Sequence, residues 1–120
     1  MAWKFNGHEA VYLQIANRLR DEIVNGRYLP DTQFPSVRQL AAEAAVNPNT
    51  MQKALVTLEE QGLLISQGTI GRFVTSDTEV LSAARERICR ETARAVLEQA
   101  RSLGITAQEL IDYIMQEEKG

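Results

Sequence analysis

Two short amphipathic segments, about Val37 to Ala44 and Pro48 to Gln61, are separated by only Ala45, Val46 and Asn47, and no other feature restricts the fold of this chain so tightly. Each segment carries its own start signal. Ser36 and Gln39 have the spacing of a capping box, in which the hydroxyl accepts from the Gln39 amide and the Gln39 side chain reaches back to Ser36. Asn47 is a good N-cap, and Pro48 suits a first helical turn because its missing N–H would have no partner there. Val37, Leu40, Ala41 and Ala44 mark the buried side of one helix, and Met51, Ala54, Leu55 and Leu58 that of the other, which ends at Gly62. Two helices joined this closely predict a helix-turn-helix.

The flanks extend that unit. Val11, Ile15, Leu19 and Ile23 recur every four residues and predict an amphipathic helix from about Glu9 to Asn25, stopped by Gly26. Pro30 and Pro35 are expected to keep the connection extended. Leu63 to Ser66 and Arg72 to Thr75 read as two strands around the turn Gln67 to Gly71. A hairpin after a helix-turn-helix is a wing. Two strands alone are marginal in water, so the ribbon must pack an apolar side on the helices, with Leu64 and Phe73 the expected inward residues.

From Ser76 the pattern is helical again. Ser76 and Glu79 have capping-box spacing, and Leu81, Ala84, Ile88, Thr92, Ala95, Val96, Ala100 and Leu103 follow one face to Gly104, with Cys89, Ala93 and Leu97 beside it. Thr106 and Glu109 cap a last helix with Leu110, Ile111, Ile114 and Met115 on one side. The expected fold is mainly α with a small β-hairpin: a winged helix-turn-helix over residues 1–75, then a two-helix dimerisation hairpin over 76–120. The long helix is apolar over more of its circumference than the last helix can cover. Leu81, Ala84, Ile88, Thr92, Val96, Leu110 and Ile114 are therefore expected at a twofold homodimer interface.

The chain has 120 residues, 44% of them apolar and 24% charged, a balance that supports a globular core. No apolar run approaches the roughly 18 residues of a membrane helix, and the start lacks a signal-peptide core, so a cytoplasmic protein without membrane contact is expected. With Cys89 and His8 the single residues of their kinds, neither an internal disulfide nor a Cys/His zinc cluster can form, and no cofactor or metal is expected. There is no nucleophile with a partner base, and Gly68 to Gly71 lacks the lysine of a phosphate-binding loop. An enzyme is not expected. The net charge of −3 at first opposes a nucleic-acid partner. Up to Thr75, however, seven basic residues balance seven acidic ones, and from Ser76 six face nine, so the excess lies in the C-terminal part.

A recognition helix reads DNA through its first turns. Asn49 and Gln52 lie opposite the apolar side of the third helix and carry amides that match adenine edges, while Lys53 suits guanine or phosphate. Thr50 and Ser36, at helix starts, can bond phosphates. Arg38 is the only cation between Ser36 and Gln52 and can form a bidentate pair with guanine. At the wing tip Gly68 permits close approach to a groove with Thr69 beside it, and Arg72 can add a backbone contact. Ser36 and Asn47 serve first as caps and second as DNA contacts. Trp3 and Phe5 are expected to cover the first helix or a dimer partner, and Cys89 to pack in a core or interface. A winged helix serving a protein partner without DNA is the competing reading, supported by the acidic balance alone.

The order Tyr12-Leu13-Gln14-Ile15-Ala16, Gly26, Pro30, Phe34-Pro35-Ser36-Val37-Arg38-Gln39-Leu40-Ala41, Val46-Asn47-Pro48-Asn49-Thr50, Leu58-Glu59, Gly62-Leu63 and Gly71-Arg72-Phe73-Val74 resembles the GntR family of bacterial transcription regulators. The Asn47-Pro48-Asn49-Thr50 segment and the short tail are similar to its YtrA-like branch. The resemblance implies a winged helix-turn-helix homodimer bound to double-stranded DNA at an inverted-repeat operator, usually as a repressor and often of a transporter operon. It assigns Arg38 to base reading, Asn49, Thr50 and Gln52 to the recognition helix, and Gly68 to the wing tip. Asp31 stands where many relatives have glycine and Phe34 where they have leucine; Pro48 and Gln52 stand where other branches have arginine. Larger relatives have a separate ligand domain. The two helices of this tail can hardly enclose the roughly 300 Å³ of a small-molecule pocket. A small-molecule effector is therefore expected only between protomers.

Overall fold

The structure, a computed structural model, describes residues 2–120. In chain order it contains α1 (Val11–Val24), α2 (Val37–Ala44), α3 (Pro48–Glu60), β1 (Leu64–Gln67), β2 (Gly71–Val74), α4 (Thr78–Ser102) and α5 (Ala107–Lys119). The fold is mainly helical with one antiparallel hairpin, and both helices of the helix-turn-helix lie where their caps and periodicity predict them.

Chain chemistry accounts for the helix ends. At the close of α1 the Gly26 amide donates to the Ile23 carbonyl and the Arg27 amide to that of Glu22, with Gly26 at φ +90°. This pair of bonds around a left-handed residue is the Schellman arrangement. It recurs after α3, where Gly62 donates to Glu59 and Leu63 to Leu58. After α2 a non-glycine takes the left-handed place: Ala45 has φ +57°, and the amides of Ala45 and Val46 return to Ala42 and Ala41. That bend is the turn of the helix-turn-helix.

Ile15, Leu19, Leu40, Met51, Leu55 and Leu58 are fully buried, one set from each of α1, α2 and α3. Leu63, Leu64 and Val74 seal the side toward the hairpin. Trp3 and Phe5 pack on this core, as their reading as a cover for α1 anticipates. The Trp3 amide donates to the Ala44 carbonyl, and the Arg18 guanidinium lies 3.9 Å from the Trp3 ring centroid.

Three local readings are corrected. The inward residues of the hairpin are Leu64 and Val74, which face each other across it; Phe73 pairs with Ile65 on the other side of the pleat, where alternation must place it. The Pro30 segment is not extended. Thr32 donates to the Leu29 carbonyl at 3.3 Å around Pro30 and Asp31, and Asp31 has φ +64°, the third-residue conformation of a type II turn. The cap of α4 is Asp77 rather than Ser76, its carboxylate accepting from the Glu79 amide at 2.9 Å. The sheet also has an unforeseen edge: residues 31–34 run beside β2, with Asp31 donating to Val74, Val74 to Thr32 and Phe34 to Arg72.

The chain divides into two compact units, Met1–Arg85 and Glu86–Gly120. The division falls inside α4 rather than after Thr75, because Val80, Leu81 and Ala84 pack on the core of the first unit. In the second unit Ala100 is buried and Ile88, Leu97, Ile105 and Leu110 are half-buried, while Val96, Ile111, Ile114 and Met115 are exposed.

Candidate nucleic-acid interface

The start of α3 presents a polar surface. Met51, Ala54 and Leu55 point into the core, which turns Asn49, Gln52 and Lys53 outward and leaves Thr50 half-exposed. Lys53 is steadied by α1: its ammonium lies 4.2 Å from the Tyr12 ring centroid, within cation–π range. Val11, Tyr12, Asn49, Thr50 and Lys53 together line a shallow depression of about 380 Å³.

Arg38 is exposed in the first turn of α2 and forms no ion pair or hydrogen bond among the described residues. An exposed, unpaired guanidinium is a poor device for stability and a suitable one for a bidentate acceptor such as a guanine edge or a phosphate.

Ser36 and Asn47 act as caps. The Ser36 hydroxyl accepts from the Gln39 amide at 3.2 Å while the Ser36 amide donates to Gln39 Oε1 at 3.0 Å. Asn47 Oδ1 accepts from the Asn49 amide at 2.7 Å. Both helices thus begin with a first-turn amide held by a side-chain cap.

At the wing tip Gly68 has φ +52° with open space where a Cβ would stand, and Thr69 and Ile70 are exposed. Between the wing and the start of α2 lies a cleft of about 520 Å³ whose lining includes Gln33, Pro35, Ser36, Gln39, Ile70 and Arg72. Arg72 is not a free cation: its Nε donates to Glu59 of α3, both side chains being partly buried. The sequence includes Glu59 in the family pattern without giving it a role, and it does not single out Gln33, which donates to the Ile70 carbonyl at 2.8 Å. Their partners lie 13 and 37 residues away, beyond the reach of helical or strand periodicity.

The seven residues expected at a dimer interface separate. Ala84 and Leu81 lie on the core of the first unit, inside the protomer. Ile88, Thr92, Val96, Leu110 and Ile114 line one open apolar groove of about 520 Å³ between α4 and α5, with Cys89 also at its wall.

A capped helix-turn-helix with an outward polar recognition face, followed by a hairpin wing, defines the winged-helix class of transcription regulators. The family model for bacterial regulatory proteins of the gntR family matches residues 11–74, and the chain belongs to that family. It is 30% identical to the uncharacterized HTH-type transcriptional regulator YhcF of Bacillus subtilis, over 92% of each chain. It is 26% identical to the HTH-type transcriptional repressor YtrA of the same organism, over 87% of this chain and 81% of that one. Among solved structures, a GntR family transcriptional regulator from Listeria monocytogenes superposes with a TM-score of 0.83 at 28% identity, over 93% and 98% of the two chains. The DNA-binding domain of AraR in complex with operator ORX1 matches 60% of this chain and 93% of that one, with a TM-score of 0.54 and 31% identity. The protein is a transcription regulator and not an enzyme. Among the described residues no helix is long and apolar enough to cross a membrane.

Proposed function

We propose that the protein is a repressor that binds an inverted-repeat operator as a homodimer in the cytoplasm. The observation that carries this reading is an exposed Arg38 without an ion pair or hydrogen bond among the described residues, in the first turn of α2, together with the outward polar face of Asn49, Gln52 and Lys53 on α3. Arg38 pairs with a guanine edge, Asn49 and Gln52 read adenine, and Lys53 neutralises phosphate. Ser36, Asn47 and Thr50 bond backbone oxygens from the helix starts, and Gly68 and Thr69 bring the wing against a neighbouring groove. With few cations on this surface, affinity depends on joining two half-sites. The groove lined by Ile88, Thr92, Val96, Leu110 and Ile114 supports that joining, since its apolar walls find no cover among the described residues of their own unit. A relative named as a repressor supports the sign of regulation, and the likeness to the YtrA-like branch points to a transporter operon as the target. Any small-molecule effector binds between protomers, at the dimer core or its junction with the wing.

Selection from a random DNA pool, repeated with Arg38→Ala, tests the reading. An inverted repeat is enriched by the native protein, and Arg38→Ala weakens its binding by about 10- to 100-fold, the loss of one good bidentate base contact. Absence of any enriched sequence at low and moderate salt would sink the reading in favour of a protein partner.

A further inference from the structure

The wing is a lever. Its strands are four residues each, so the tip stands about 13 Å from the hairpin base at about 3.3 Å per residue, and a small rotation at the base displaces it from any groove. The base is anchored by Leu64 and Val74 in the core. Two further attachments act along the lever. Gln33 donates to the Ile70 carbonyl next to the tip, and Gly71 beside it has φ +124°, with room for a Cβ only if the Gln33 amide, 3.2 Å away, gave way by a few tenths of an ångström. Arg72, opposite Ser66 in the hairpin register, donates to Glu59 in the last turns of α3, with side-chain exposures of only 18% and 28%. A partly buried pair is screened less than a surface pair, and it joins the two elements expected to touch DNA.

From this geometry we infer that Arg72 and Glu59 are positioning residues, a strut that sets the wing against the recognition helix, and that Arg72 serves DNA binding through this strut rather than as a phosphate contact. The inference rests on the DNA-binding reading above and gives a test of opposite sign from the alternative. If Arg72 contacted phosphate, Glu59 would compete for it, and removing Glu59 would strengthen binding. In a strut, removing either partner frees the wing and weakens binding, and the second removal adds little.

The experiment measures binding of the full chain to the duplex most enriched from a random pool, over a range of salt, for Glu59→Gln, Arg72→Gln and the double variant, with thermal melting of each. Each single variant weakens binding by about three- to tenfold, the double variant is no weaker than either, and the slope of affinity against salt stays at the native value. Tighter binding by Glu59→Gln, or a slope reduced by about one in Arg72→Gln, overturns the strut. So does native affinity in both single variants. Should a single variant unfold, the exchanged pair Glu59→Arg with Arg72→Glu decides: binding recovered above that of either single reversal supports the strut, and no recovery overturns it. Failure of the native protein to bind any selected duplex would instead overturn the DNA-binding reading itself.

Discussion

Asp31 and Tyr28 show how single residues depart from their ordinary behaviour for local reasons. Asp31 stands at φ +64° in the turn before the segment that bonds to β2, a conformation in which a Cβ costs about 1–2 kcal/mol and in which a carboxylate side chain is tolerated better than a branched one. Asp31→Gly is therefore expected to be neutral or to stabilise by up to about 1 kcal/mol, and Asp31→Val to destabilise by about 1–2 kcal/mol, read by chemical denaturation. The Tyr28 phenol packs 4.7 Å from the Phe34 ring, and burial, followed by the nearby Glu22 carboxylate, raises its pKa above the ordinary value. An acid whose pKa is raised by folding is held protonated in the native state. Its contribution is present below about pH 10 and is lost as the pH rises through the folded value. Tyr28→Phe should flatten the alkaline limb of stability while leaving neutral stability within about 0.5 kcal/mol, measured by melting from pH 7 to 11.

Helices here are defined by their ends. The capping box of α2 satisfies amides that would otherwise be orphaned at the helix start. Ser36→Ala is expected to lower stability by about 1 kcal/mol, and Ser36→Asp to retain it, because a carboxylate also caps a helix start. Differential scanning calorimetry separates the two. The boundaries of α2 and the start of α3 follow directly from Ser36, Gln39, Asn47 and Pro48, whose effects act within one turn of chain. The left-handed Ala45 was not foreseeable in this way. Nothing about alanine favours that conformation; it is held by amide bonds back to Ala41 and Ala42 and by packing of α2 on α3. Likewise residues 31–34 have no alternation of their own, and their backbone bonds and isolated bridge exist because β2 offers them an unpaired edge.

For the molecule as a whole, assembly carries the remaining predictions. The second unit has too few residues to bury its own apolar side chains: Ile111 and Ile114 remain 51% and 47% exposed. A second copy laid on the groove would remove that surface from water at about 25 cal/mol per Å² of apolar area. Ile88→Glu or Val96→Glu should give a monomer by analytical ultracentrifugation, with operator binding weakened by at least about 100-fold, because each half-site must then bind alone. Ala84→Glu tests a different property. Ala84 is buried in the core of the first unit, so its substitution should lower the melting temperature rather than release a folded monomer, an unpaired buried charge being among the costliest of changes.

The order of elements, the helix-turn-helix, the hairpin and the polar face of α3 were all present in the linear chain, because caps, periodicity and turn residues act over a few positions. Arg38, Asn49 and Gln52 could be chosen as candidates for the same reason: each is polar at a place where its helix turns away from the core. The pairing of Arg72 with Glu59, the contact of Gln33 with the wing tip, the support of Lys53 by Tyr12 and the withdrawal of Leu81 and Ala84 into the first unit required the folded chain. Those contacts join residues far apart in sequence, and which partner a side chain meets across such a distance depends on how whole elements pack.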